Sequence, residues 1–455
     1  MMERTLFFPI FGIPLIVAWL LGGSLFLTVR LGFINLWGLG HSLRVLSAET
    51  DPDAVGEVTP FQAMATALSA TVGLGNIAGV AIAIQLGGPG AAFWMTLAGF
   101  LGMATKFTEC TLAQQYRWVE STGQVRGGPM YYLSQGLSAQ GLKPAGQLLA
   151  VSFAALCLVA SLGGGNMFQS NQSAMALEIL GEALGWSWLS QPYLYGLVLS
   201  TAVAAVIIGG LQRIAQVAST LVPAMVGVYL TGCLWILAHH LGALPQAAVD
   251  IWHAAWQPTA VEGGIVGVMV QGLQRGVFSN GAGTGTAAIA HAATQNSEPV
   301  QEGFAALLEP LLDTVVICNL TALVCLVTGV YQPGGLGGIE LATAAFTAEL
   351  PTLGWGLVGV VCLFSFSTII SCFYYGEACW HYLFGDRGLL GYKAVYIAST
   401  FGGTVIGLST VVRFSDIALF AMGVPNMLGL LMLSTSVAQS LRAYLGTATV
   451  AVADS

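Results

Sequence analysis

Thr71-Val72-Gly73-Leu74-Gly75-Asn76 and Ser279-Asn280-Gly281-Ala282-Gly283-Thr284-Gly285-Thr286 each interrupt a stretch that is otherwise apolar enough to cross a bilayer. A lone glycine in such a stretch lets neighbouring helices approach closely, which is how Ala78-Gly79 and Gly402-Gly403 are read. Two or three glycines within eight residues, flanked by Asn, Ser and Thr, do something else. They lower helix propensity and bring polar groups that lipid-facing backbone cannot carry. The pattern predicts that both helices are broken and that both breaks border a cavity. Gly-interrupted spans at matching places in two halves of a chain point to an inverted repeat with a binding site near the bilayer midplane.

An unwound segment exposes peptide groups of opposite polarity. The half-helix before the first break ends in free carbonyls near Ser69 to Val72, and the one after it begins with free amides near Gly75 and Asn76. Amides at a positive dipole end favour a carboxylate, whereas carbonyls favour a sodium ion or an ammonium. The second break repeats the offer, with carbonyls at Phe278 to Asn280 and with Thr284 or Thr286 expected to cap the returning half-helix. A zwitterionic amino acid that approaches the glycine backbone closely satisfies both ends.

Working outward, 56% of residues are hydrophobic and only 7% charged, so lipid is the solvent of this chain. A bilayer core of about 30 Å needs about 20 apolar residues per helix. Eleven spans are expected, at 7–29, 61–86, 90–117, 146–178, 193–210, 213–238, 262–291, 302–330, 354–383, 391–411 and 416–441. The first is too long for a signal-peptide core and lacks a basic leader, so it is expected to be retained. With the amino terminus outside, Arg30, Arg44, Arg117, Arg126, Lys143, Arg213, Arg387, Lys393 and Arg442 fall on the cytoplasmic side. Only Arg4 and Arg413 fall outside, Lys106 and Arg275 lie within spans, and the loops 239–261 and 331–353 carry no Lys or Arg. The expectation is an all-α polytopic protein of the plasma (inner) membrane, its carboxyl terminus cytoplasmic. It would be a single transmembrane domain with an extra first helix at 7–29, one five-helix repeat at 61–238 and an inverted one at 262–441.

Several other polar residues lie inside spans. Ser365-Phe366-Ser367-Thr368 offers adjacent hydroxyls either to a hard cation or to its own helical turn. Asn166 and Gln169 share a helical face and meet either a ligand or another helix. Asp313 is the leading candidate for ion or gate chemistry, because intramembrane acids are functional candidates by default. Glu109 is expected to pair locally with Lys106, Glu309 and Glu377 to sit nearer an interface, and His291 to end the seventh span, packed or solvated. Eight cysteines without paired spacing read as packing residues. No nucleophile with its base, metal cluster, phosphate loop or basic run stands out, so neither an enzyme, a nucleic-acid binder nor a resident cofactor is expected.

At these residues the sequence resembles the alanine or glycine:cation symporter family of the amino acid, polyamine and organocation superfamily. The resemblance runs over most of the chain. It is carried by Thr71 to Val80, Gly87-Gly88-Pro89-Gly90-Ala91, Gly102 to Cys110, Gly127-Gly128-Pro129-Met130-Tyr131-Tyr132, Arg275 to Asn280, Asp313-Thr314 and Tyr374-Tyr375-Gly376-Glu377. It implies a leucine-transporter-like fold of five plus five inverted helices behind one extra helix, working by alternating access. It also implies that backbone at Ser69, Val72 and Phe364, with Ser367 and Thr368, holds sodium as the coupling ion. Thr71, Gly73, Gly75, Asn76, Asn166, Phe168, Gln169, Ser279, Asn280, Gly281, Gly283 and Cys372 would surround a small neutral amino acid. The chain departs from the family pattern at Gly281, where Glu is usual, and at Cys372, where Trp is common. The pocket is therefore expected to lack one charge and to be wider, or rebuilt by Phe168 and Phe373.

The alternative is a proton-coupled or facilitative carrier of another small solute on the same architecture. The sixth span, from Arg213 to His239, contains no lysine that could replace sodium with an intramembrane amine, which favours sodium.

Overall fold

Helices dominate the computed structural model, which describes residues 6–10, 13–47, 54–121, 123–256, 264–296 and 298–453. Arg4 and the expected start of the seventh span at 262 lie outside the described residues. The first long helix is Leu15–Arg30 and not 7–29, because Pro14 has no N–H and biases its predecessor away from helix. Pro9–Ile10 instead pairs with Ile13–Pro14 as a short antiparallel hairpin.

Among the described residues five helices are long and apolar enough to cross a membrane, or six when the bent pair Pro60–Thr71 and Gly75–Gly87 is taken as one. The other expected spans fall short by length or polarity. Leu15–Arg30 and Pro192–Ile207 are apolar but short, Leu389–Val405 has 17 residues, and Ala91–Gln115 carries buried Lys106 and Glu109. Lys143–Leu162 continues through a π-helical turn, Gly163–Met167, into Phe168–Leu184.

Two loops hold helices too short to cross a bilayer. Leu244–Trp256 lies within 239–261 and packs against the start of Ala91–Gln115, where Trp94 Nε1 donates to Ala255 O at 3.2 Å. Ile339–Glu349 lies within 331–353 and buries Ile339, Leu341, Ala342, Ala345 and Phe346. The last helix, Leu408–Ala453, begins eight residues before the expected 416. Asp416, the first residue of the expected span, lies inside this helix and is buried against Arg275, whose guanidinium donates to it.

The broken helices sit in the middle. Ala91–Gln115 packs on Gly264–Asn280, on Pro299–Pro310 and on Thr286–Ala292. Pro60–Thr71 packs on Gly210–His239, on Pro351–Phe384 and on Thr286–Ala292. Lys143–Leu162 closes the bundle against Pro351–Phe384 and Leu408–Ala453. Of the pair Gly402-Gly403, Gly403 serves packing, since a Cβ on it would lie 2.1 Å from Ser170 Oγ.

Removing one partner of a buried ion pair strands the other charge, at a cost of about 3–5 kcal/mol. Asp416→Ala should therefore lower the thermal unfolding temperature of the detergent-purified protein markedly. Asp416→Asn, which keeps an acceptor for Arg275, should lower it less. Parental melting of the alanine variant would show that the pair is not structural.

Candidate functional site

Pro60–Thr71 begins with a capping box: Thr59 Oγ1 accepts from Gln62 N, Gln62 Oε1 accepts from Thr59 N, and Pro60 occupies the first turn. It stops at Val72, whose backbone (φ −76°, ψ 89°) leaves the helical region. The chain re-enters as a π-helical turn, Gly75–Gly79, followed by Val80–Gly87, bent by 48° from the first half. The second helix, Gly264–Asn280, stops at Gly281 and resumes as Thr286–Ala292. Gly281, Gly283 and Gly285 have φ of 62°, 86° and 82°, a left-handed conformation in which an L side chain is strained.

Side chains take up many of the peptide groups that unwinding frees. In the first break Asn76 Oδ1 accepts from Gly73 N at 2.9 Å. Gln169 Oε1 accepts from Leu74 N, and its amide donates to Gly164 O, both at 3.1 Å. In the second break Asn280 Oδ1 accepts from Ala282 N at 2.8 Å. Glu109 Oε1 accepts from Gly285 N at 3.1 Å and from Asn426 Nδ2 at 2.7 Å, while Asn426 also donates to Gly283 O at 2.9 Å. The expected threonine cap is thus replaced: Thr284 Oγ1 donates back to Gly281 O, and the helix after Gly285 has no side-chain cap.

Asp313 joins the two breaks. Its carboxylate accepts from Ser279 Oγ at 2.9 Å, from Thr314 Oγ1 at 2.6 Å and from Asn76 Nδ2. It lies on a π-helical segment, Leu311–Cys318, directly after Pro310. A proline lacks the N–H that would continue the α ladder, and the widened turn follows from that missing bond.

A cavity of about 60 Å³ lies where the breaks meet, several times the ~10–15 Å³ that one water needs. Gly75, Gly164, Gly165 and Gly281 present bare backbone to it, beside Thr71, Gln169, Ser279 and Thr286. Cys157, Ala160, Ser161, Phe278, Cys372, Tyr375, Leu419 and Met422 complete much of the wall.

Of the residues expected around a cargo, Thr71, Gly75, Gln169, Ser279, Gly281 and Cys372 line this cavity. Gly73, Asn76, Asn280 and Gly283 belong instead to the hydrogen-bonded scaffold of the breaks. Asn166 donates to Tyr396 O at 2.9 Å, a bond between helices. Phe168 stands edge-on to Phe278 at 5.4 Å, and Phe278 is the ring that lines the cavity. Phe373 stacks on Tyr392 in a separate cluster, so the aromatic walls come from Phe278 and Tyr375. Cys372 lies against Gly165, where a Cβ would come within 2.5 Å of its own Cβ. Leu419 and Met422 escaped sequence reasoning because apolar residues in an apolar span carry no mark of what they face.

A second convergence lies beside the first break. Thr368 Oγ1 donates to Ser69 O at 2.8 Å, Ser69 Oγ donates to Ser367 O at 2.9 Å, and Ser367 Oγ donates to Phe364 O at 3.1 Å. A Cβ on Gly73 would lie 2.6 Å from Thr368 Oγ1, so this hydroxyl abuts the unwound backbone next to Val72.

The charges pair differently from the local expectation. Lys106 Nζ reaches Glu309 Oε2 at 3.1 Å and leaves Glu109 to the second break. Glu309 is 1% exposed, and Glu377 pairs with Lys393 at 3.3 Å. A second, polar cavity of about 190 Å³ is lined by Glu57, Arg126, Tyr131, Tyr374, Glu377 and His381, among others. Burial holds the Glu57 carboxyl above its ordinary range there, opposed by the Val125 N–H that it accepts at 2.7 Å.

Two interrupted helices, bridged by a buried carboxylate around a small central cavity, are the arrangement of a membrane transporter with discontinuous helices. The pattern of the sodium:alanine symporter family matches residues 6–452. The chain is 39% identical over 436 residues to the sodium/alanine symporter AgcS of Methanococcus maripaludis, covering 95% of this chain and 94% of that one. It is 33% identical to the probable sodium/glutamine symporter GlnT of Bacillus subtilis, covering 94% and 87%. Its fold is similar to that of MhsT in complex with L-phenylalanine (TM-score 0.57, 14% identity, 82% and 88% covered). It is also similar to that of a Na⁺-coupled sialic acid symporter (TM-score 0.52, 11% identity, 91% and 82% covered). The chain belongs to the sodium:alanine symporter family and has the leucine-transporter-like fold, as a multi-pass helical membrane protein.

Cys157 and Cys372 both line the central cavity. A small membrane-permeant thiol reagent should label one or both of them, and intact-mass analysis should show the added mass lost in the Cys157→Ser, Cys372→Ser double variant. Labelling that persists undiminished in the double variant would mean the cavity is closed to small solutes.

Proposed function

We propose that this chain imports a small neutral amino acid together with sodium across the plasma membrane by alternating access. One observation carries the reading: glycine backbone from both helix breaks faces one cavity, while the side chains of Asn76, Gln169, Asn280 and Glu109 hold the breaks open. The half-helix that leaves the first break directs its positive end towards a carboxylate, and Ser279 with the carbonyls of the second break suits an ammonium. Thr71, Gly75, Gln169, Ser279, Gly281 and Cys372 are the residues proposed to touch the cargo.

Sodium is proposed to bind where the Ser69 carbonyl meets the Thr368 hydroxyl, with Val72, Phe364 and Ser367 completing the oxygens. Hard cations take such neutral oxygen ligands. An ion there would clamp Pro351–Phe384 to the unwound end of Pro60–Thr71, so that sodium and cargo favour the same arrangement of the first break. The two halves, 61–238 and 262–441, are proposed to act as inverted repeats that move relative to each other. The amino terminus is proposed to lie outside and the carboxyl terminus in the cytoplasm, as the distribution of basic residues favours.

Purified protein in proteoliposomes should take up labelled alanine or glycine when an inward sodium gradient is imposed, and not when potassium replaces sodium. Uptake that is equal in sodium-free buffer across a pH series would favour the proton-coupled or facilitative alternative. The Ser367→Ala, Thr368→Ala double variant should lose sodium-dependent uptake, with at least about a tenfold fall in rate, equivalent to about 1.4 kcal/mol. Unchanged sodium dependence would remove this ion site.

A further inference from the structure

His291 is the penultimate residue of the helix Thr286–Ala292, whose first residue lines the central cavity. Both of its ring nitrogens are engaged by carboxylates. Nδ1 lies 2.5 Å from Glu302 Oε1, and Nε2 is hydrogen-bonded to Glu309 Oε1. Glu302 also accepts from Thr294 Oγ1 at 2.9 Å and from Asn296 Nδ2 at 3.2 Å, and Glu309 takes the Lys106 ammonium on its second oxygen. His291, Lys106 and Glu302 are 0% exposed and Glu309 is 1% exposed, so bulk solvent does not screen their charges.

The count of protons follows from the hydrogen bonds. Each nitrogen-to-oxygen contact needs one proton, but a neutral imidazole supplies one N–H and one lone pair, and ionised carboxylates supply none. A lone pair facing a carboxylate oxygen is repulsive. The charge count agrees: imidazolium and ammonium balance two carboxylates, whereas a neutral ring leaves an uncompensated negative charge in a buried site.

We infer that His291, Glu302 and Glu309 form a proton-binding site that is filled while the helix Thr286–Ala292 is seated and emptied when that helix moves. The inference rests on the alternating-access reading above. The seated helix is further held by Arg117, which donates to Thr294 O at 2.6 Å and to Asn296 O at 2.9 Å, and by the bridge between Val58 and Thr294. The same short helix carries Thr286 at the cavity, so opening a path past it separates His291 from at least one carboxylate. An imidazole released into water keeps its proton only below about pH 6.5, so at neutral pH and above the proton passes to solvent. Low pH therefore favours the seated helix and high pH the displaced one.

The other titratable groups around the unit have fixed partners or lie to one side. From Ala91–Gln115 and its end come Lys106, Glu109, Cys110 and Arg117, with Glu109 turned to Gly285 and Asn426. Pro351–Phe384 contributes Tyr374, whose hydroxyl donates to Ile289 O at 3.5 Å, and Tyr375. His41 packs on Phe304 at 4.4 Å, and Asp313 is bound to Ser279 and Asn76.

Two measurements test the site. In proteoliposomes with a fixed sodium gradient and equal pH on both sides, alanine uptake by the parent should vary about fivefold or more between about pH 5.5 and 9. Glu302→Gln, whose carboxamide donates an N–H to a neutral His291, should give a flat profile. A flat parental profile, or a parental profile in the variant, would overturn the inference. Should the variant not fold, histidine ring nitrogen NMR of the parent decides. One imidazole, absent from His291→Gln, should remain protonated at both nitrogens at about pH 8; six neutral rings at that pH would overturn the inference. Absence of sodium-dependent alanine uptake by the parent at every pH would count against the transport reading, and the NMR result would still decide the proton site.

Discussion

A peptide group released from a helix inside a bilayer must find a partner within the protein, because lipid offers none. The rest of this structure answers that requirement at two places. Asn76 and Gln169 bind amides of the first break, and Asn280, Glu109 and Asn426 bind backbone of the second. Asp313 spans both, so the two breaks form one hydrogen-bonded unit and not two separate defects. Polar side chains that would be costly in a plain membrane helix thereby become the means by which the helices stay broken.

This arrangement divides labour between side chains and backbone. Most of the amides and carboxylates lie behind the breaks, while glycine backbone, a few hydroxyls and Gln169 face the cavity. Because glycine leaves peptide groups uncovered, a small zwitterion meets main-chain dipoles at close range, and selectivity for its side chain passes to the wall formed by Cys372, Tyr375, Leu419 and Met422. Gly281 adopts a left-handed φ of 62°, and the Cys372 side chain abuts the backbone of Gly165, so both positions shape the cavity by how little they fill.

Charge follows the same economy of burial. Lys106 sits three residues from Glu109, yet pairs with Glu309 on another helix, because Glu109 is committed to Gly285 and Asn426. The buried row from His291 to Lys106 thus ties the returning half-helix of the second break to Ala91–Gln115 and Pro299–Pro310. A movement at the cavity is felt there as a change in electrostatic pairing, which makes this row a natural place for conformation and protonation to meet.

Read alone, the sequence determined that the chain lives in lipid, that two of its helices are broken, and where. Those features depend on composition and on runs of Gly, Asn, Ser and Thr, which act within a few residues of themselves. The family resemblance, carried by the same local motifs, agrees with the relatives and the fold. Tertiary structure alone decided which polar residues face the cavity and which serve the scaffold. Asn76, Asn166 and Asn280 look like ligands in sequence and turn inward to backbone, whereas Leu419 and Met422 look like packing and line the cavity. It also decided the partner of Asp416, which is Arg275, 141 residues away in sequence. Partnership across helices depends on which faces meet, and a side chain carries no record of its distant partner in its own neighbourhood.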